Sequence, residues 1–228
     1  MAGSLVVRIA MEFILIFVVE LLLLFFVSRL LTRSLSSFFF RISRSQNITI
    51  QLISFLFLPG VIIHELAHLL TAAVLFVPVG EVEFLPQIQE GGVKLGSVSI
   101  GKTDPFRRAI IGFAPVIAGL SIMLGALFYL VPSGDVLTSV GLFYILFEVG
   151  NTMFSSKKDV EGTVELFAVI GFFAAVVYIA GFRIDMSFFQ KILSLELISF
   201  FKKADMFFLL PLCIDIILLG IARVVNKR

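Results

Sequence analysis

Charge is what this sequence has least of. Asp, Glu, Lys and Arg make up 15% of its 228 residues against 59% hydrophobic ones, and mean hydropathy is +1.10. Soluble domains run near a quarter charged and under half apolar, so this composition excludes an ordinary soluble domain and points to the membrane. Cysteine occurs once, as Cys213, which excludes an internal disulfide and says nothing about redox compartment. Histidine occurs only twice, as His64 and His68. Internal repeats and low-complexity linkers are absent, and no nucleic acid is expected among the partners.

What is present is long apolar runs. A bilayer span needs roughly 20 mostly apolar residues. Six runs qualify, at about 6–28, 49–77, 107–131, 136–154, 163–182 and 205–223. They predict an all-α polytopic membrane protein, one membrane-embedded domain over residues 1–228. The first run is too long, and too poor in a small-residue cleavage site, for a removed signal peptide. With six alternating spans, Arg29, Arg33, Arg41, Arg44, Arg183, Lys191, Lys202 and Lys203 fall on one side. Arg8, Lys94, Lys102, Arg107, Arg108, Lys157, Lys158, Arg223, Lys227 and Arg228 fall on the other. Eight against ten is too even for basic residues to fix the orientation.

The connectors carry their own signals. Residues 29–46 mix Arg, Ser and Phe, as suits a connector in the headgroup region. Residues 182–205 read as an interfacial amphipathic helix. Between spans two and three, Val82 and Phe84, Val93 and Leu95, and Val98 and Ile100 recur at period two around Gly91-Gly92. That pattern predicts a small antiparallel β unit over about 80–101. So short a unit is marginal alone and should lean on the bundle.

The chemistry is concentrated in one helix. "VIIHELAHLLTAAVLF", residues 61–76, sets His64 and His68 one turn apart on one face, with Glu65 between them. H-E-x-x-H on a helix lets two imidazoles share a Zn²⁺ while the carboxylate takes a proton from a metal-bound water. With only two histidines in the chain, this spacing arises by chance on the order of once in 10³ such chains. Ionisable groups near a bilayer centre cost roughly 2.5–3.5 kcal/mol each, so they are seldom idle there. From His68 to the end of the run at Val77 is about 14 Å of helix, well inside the membrane. A catalytic zinc site usually has three protein ligands, and no third histidine exists. The residues leave Glu148, Asp159, Glu161 and Glu165 as candidates for the third.

An H-E-L-A-H helix in a span, a β unit, a third helix centred on Pro115, then Asn151 with Asp159 eight residues on, resembles the site-2 protease family of intramembrane zinc metalloproteases. The family's later motif is approximately N-x-x-P-x-P-x-L-D-G. Here Asn151 and Asp159 keep its spacing, whereas Phe154 and Ser156 replace the prolines, Lys158 the leucine and Val160 the glycine. On the third helix only Pro115 is matched, with Ala114 and Ala118 at its flanks. The resemblance covers about residues 49–165 and marks a divergent member.

The resemblance implies a three-helix catalytic core of spans two, three and four, with both termini on the cytoplasmic side of a prokaryotic cell membrane. It implies Zn²⁺ held by His64, His68 and Asp159, with Glu65 as general base. Asn151 orients substrate backbone or a ligand in that scheme. The partner is a membrane-protein substrate with a transmembrane helix in the bilayer. Such a helix must unwind before cleavage, and an exposed strand edge, here Val93, Leu95 and Val98, compensates its freed backbone groups. A zinc protease with a glutamate third ligand, Glu161 or Glu165, is the nearest alternative. A non-catalytic metal-binding membrane protein is the alternative of another class. Substrate identity and oligomeric state are not legible.

Overall fold

Two residues turn the first helix back on the second. Arg44 takes a left-handed φ of 51°, and Ser45 (φ −131°, ψ 124°) caps the next helix, its hydroxyl accepting the Ile48 N–H. The flanking helices are α1 (Ala2–Ser43) and α2 (Gln46–Val74). They are followed by β1 (Val79–Glu83), β2 (Gln87–Gln89), β3 (Gly92–Lys94), β4 (Ser97–Ile100), α3 (Pro105–Tyr129), α4 (Val136–Thr152), α5 (Lys157–Ile179) and α6 (Leu195–Lys227). This computed structural model describes residues 2–84, 87–89, 92–94, 96–129, 135–154, 157–181 and 195–227. Side chains of residues 85–95 and 155–163, and of Glu165, lie outside the description.

Four helical stretches are long and apolar enough to cross a membrane: Met11–Ser43, Gln46–Val74, Pro105–Ala126 and Ile198–Val225. Val136–Thr152 and Leu166–Ile179 are apolar but shorter. Large apolar side chains point outward on most of the helices, among them Leu15, Phe26, Phe55, Ile117, Phe172 and Ile217. That surface suits lipid rather than water. The connector expected after residue 28 is instead more of α1, because residues 29–43 hold no Pro or Gly to stop a helix. At 42 residues α1 runs about 63 Å, twice the hydrocarbon thickness. The expected interfacial helix is partly outside the described residues, and its end, from Leu195, belongs to α6.

Contacts fix the directions of the helices. Tyr144 bonds Leu56, Phe57 stacks on Phe147 with centroids 5.8 Å apart, and Gly60 meets Glu148 and Thr152. Residue numbers rise together, so α2 and α4 are parallel. Opposite His68 on α3 is Ile111, and Gly119 packs on Val149 and Met153. Phe113 meets Phe167 of α5 at 6.0 Å. Thus α4 and then α5 pass α3 from its C-terminal half to its N-terminal half.

The last helix departs from expectation. Phe17 packs against Phe201 and Phe208, and Arg41 Nη1 donates to the Val225 carbonyl at 2.9 Å. The intervals 17–41 and 201–225 are equal, so α1 and α6 run side by side and parallel. Six alternating spans would set them antiparallel. Six full crossings with both termini on one side therefore do not fit the packing.

The β unit is two nested hairpins. β1 pairs antiparallel with β4 (Val82↔Val98, Glu83↔Ser97), and β2 with β3 (Gln87↔Lys94, Gln89↔Gly92). Ser97 Oγ donates to Glu83 Oε2 at 3.1 Å across the outer pair. Both β1 and β4 touch α2, so the unit does lean on the helix carrying the histidines.

Candidate metal centre

His64 and His68 sit in the C-terminal half of α2, exposing 3% and 7% of their surface, with Glu65 at 6%. The 3.6-residue turn stacks the two rings on one face, with centroids 4.9 Å apart and planes at 85°. His68 Nδ1 lies 2.8 Å from the Ile111 carbonyl oxygen. A carbonyl only accepts, so this nitrogen carries the proton and Nε2 is the unprotonated one. A second partner that fixes the tautomer is what metal-binding histidines characteristically have. The two imidazoles therefore fit a zinc ion in donor type and spacing.

Glu65 is covered by the β unit. A Cβ added to Gly96, just before β4, would lie 2.9 Å from Glu65 Oε1 and 2.7 Å from a Val61 methyl. The chain passes there only because residue 96 has no side chain. Sequence reading missed this glycine, whose one visible signal is its place immediately before a strand.

Five residues back from His64, between one and two turns, α2 contains Pro59. Proline has no N–H to offer the Phe55 carbonyl and crowds it, which bends a helix. Next to it, the Gly60 N–H donates to Glu148 Oε2 at 3.1 Å, and the Tyr144 hydroxyl donates to the Leu56 carbonyl at 3.3 Å. Glu148, one candidate for the third ligand, is 1% exposed and holds this backbone group instead.

The remaining expected residues divide. Asn151 is buried, and its Nδ2 donates to the Phe147 carbonyl at 2.9 Å and to Asp215 Oδ1 of α6 at 2.8 Å. It ties α4 to α6. Asp159 lies in the first turn of α5, followed by Glu161 and Glu165, and their side chains are outside the described residues. Contacts are described on either side of Asp159 in sequence. Thr152 is at Gly60, one turn before His64, while Phe167 is at Phe113, two residues from the partner of His68. Val98 is in β4, whose one strand partner among the described residues is β1. Val93 is in β3 with its side chain undescribed, and Leu95 lies outside the described residues. Among the described residues no group of three His, Cys, Asp or Glu side chains gathers closely enough to hold a metal ion. Comparison with known proteins finds no matching family model, no matching curated protein and no matching solved structure.

Proposed function

We propose that this chain is an intramembrane zinc endopeptidase that hydrolyses peptide bonds in or near transmembrane segments of other membrane proteins. His64, His68 and Asp159 are its metal ligands and Glu65 its general base. The observation that carries the reading is the His64–His68 pair: buried, one turn apart, with His68 Nδ1 anchored on the Ile111 carbonyl at 2.8 Å. When bound, zinc supplies a Lewis acid that brings the pKa of its water to about 7. Glu65 takes the proton of the attacking water and passes it to the leaving amine. Gly96 sets the start of β4 against Glu65, so a substrate strand added along the edge of β4 that no described strand pairs would reach the base without a further turn.

The reading carries a topology. α1, α2, α3 and α6 are full crossings, and α4 with α5 forms one interrupted crossing whose break, after Met153, is near the depth of His64. Five crossings make α1 and α6 parallel and put the termini on opposite sides of the membrane. α4 ends at Thr152, which meets Gly60, and α5 begins at Lys157 with Asp159 in its first turn; this placement supports Asp159 as third ligand. A glutamate ligand, Glu161 or Glu165, sits on the same helix and is separated by mutation below.

Cleavage of a single-span reporter by the purified protein tests the activity. Glu65→Gln should lose activity by about 10²–10⁴-fold while keeping zinc and fold. A Glu65→Gln protein as active as wild type sinks the reading.

A further inference from the structure

We propose that Glu148 is a positioning residue for the zinc helix: by holding the Gly60 N–H next to Pro59, it fixes the direction of the turns that carry His64 and His68. This rests on the zinc reading above. In a membrane, backbone groups freed by a proline must be met by neighbouring helices, since no water is at hand. Beside Pro59, the Gly60 N–H and the Leu56 carbonyl are both met from one face of α4, by Glu148 and Tyr144, which stand one turn apart. The close approach depends on Gly60, where a Cβ would fall 2.6 Å from Thr152 Oγ1 and 2.8 Å from the Glu148 carbonyl oxygen. An ionisable side chain this deeply buried is costly to keep, and α4 could pack its apolar neighbours Leu146, Phe147 and Val149 without it.

Lever arms show why the contact matters to a metal site. Gly60 is four residues from His64 and eight from His68, or about 6 Å and 12 Å of helix. A change of about 10° in the bend moves the first by about 1 Å and the second by about 2 Å. Metal–ligand distances tolerate only about ±0.2 Å. Tyr144 is 41% exposed and its bond is longer, so Glu148 is the firmer of the two anchors.

The test separates reach from charge, using Co²⁺ as the probe on the full chain in detergent. Affinity by competition and the visible ligand-field band of bound cobalt are read for wild type, Glu148→Gln and Glu148→Asp. Gln keeps the reach and an acceptor oxygen without charge, and should stay within about threefold of wild type with an unchanged band. Asp keeps the charge but is one methylene shorter, and should lose about 10–100-fold in affinity with a shifted band. An Asp variant that matches wild type, or a Gln variant as weak as Asp, overturns the proposal while the zinc reading stands. Should the Asp variant not fold, the Gln arm decides alone, since lost affinity there overturns it and full affinity supports it. Wild type that binds no cobalt overturns the zinc reading, and this proposal with it.

Discussion

Beside the histidine pair, His68 and Glu148 each have one atom fastened to backbone; in the seam between α1 and α6, Glu20 and Asp205 are packed without such an anchor among the described residues. In the first region His68 is tied to the Ile111 carbonyl and Glu148 to the Gly60 N–H. In the second, Glu20 and Asp205 are both 6% exposed and within electrostatic reach of each other. Glu20 Oε2 and both Asp205 carboxylate oxygens have no hydrogen-bond partner among the described residues. Backbone anchors give direction, which a coordination site needs to within tenths of an ångström. Two acids side by side with no described cation give none, and the seam gets its cohesion from Phe17, Phe201 and Phe208 instead.

The largest expected effect in the first region, after loss of a ligand, comes from Gly96. Gly96→Ala should push the β unit off Glu65 and Val61, at about 1–3 kcal/mol for overpacking, and cut cleavage sharply with zinc content unchanged. Cleavage at the wild-type rate would mean that the loop before β4 moves freely and plays no part in the site. In the seam the prediction is nearly the reverse. Glu20→Gln with Asp205→Asn should leave thermal stability within about 1 kcal/mol of wild type or higher, because isosteric neutral groups remove repulsion and keep packing. A large loss there would show that the seam is as specific as the metal region, and the contrast would fail.

The smallest effect is at the start of α3, the helix that offers Ile111. Asp104 accepts the Arg107 N–H at 3.0 Å, and that bond holds its carboxyl below the usual carboxylate range. A depressed folded pKa contributes stability above the unfolded value, lost as pH falls through the folded one. Asp104→Ala should therefore melt slightly earlier than wild type at neutral pH, with the difference fading in acid. A gap that persists in acid would assign the effect to something other than the carboxylate.

How far the sequence reaches follows the same division. The histidine helix was legible because an i, i+4 pair needs only helical period, and the β unit because alternation and Gly91-Gly92 are local. That β1 pairs with β4 around an inner β2–β3 hairpin was not, since three alternating pairs do not say which strands join. The parallel course of α1 and α6 was hidden because hydropathy marks length, not direction, and alternation was assumed across six runs. Val136–Thr152 and Leu166–Ile179 are apolar but short, and hydropathy alone does not separate a short helix from a crossing. Asn151 was read for its spacing to Asp159, but its partner, Asp215, lies 64 residues on, where no local pattern points. Glu148 was in view only as a carboxylate; Pro59 signals a carbonyl short of a donor, which does not by itself point to an acceptor such as Glu148.

The most direct test is the zinc content of the detergent-purified full chain, compared with His68→Ala, Asp159→Asn and Glu161→Gln. The account predicts about one zinc per chain in wild type, lost in the first two variants and kept in the third. Zinc kept in Asp159→Asn but lost in Glu161→Gln would move the third ligand to the glutamate. A well-folded wild type that takes up no zinc when the metal is offered would contradict the account at its centre.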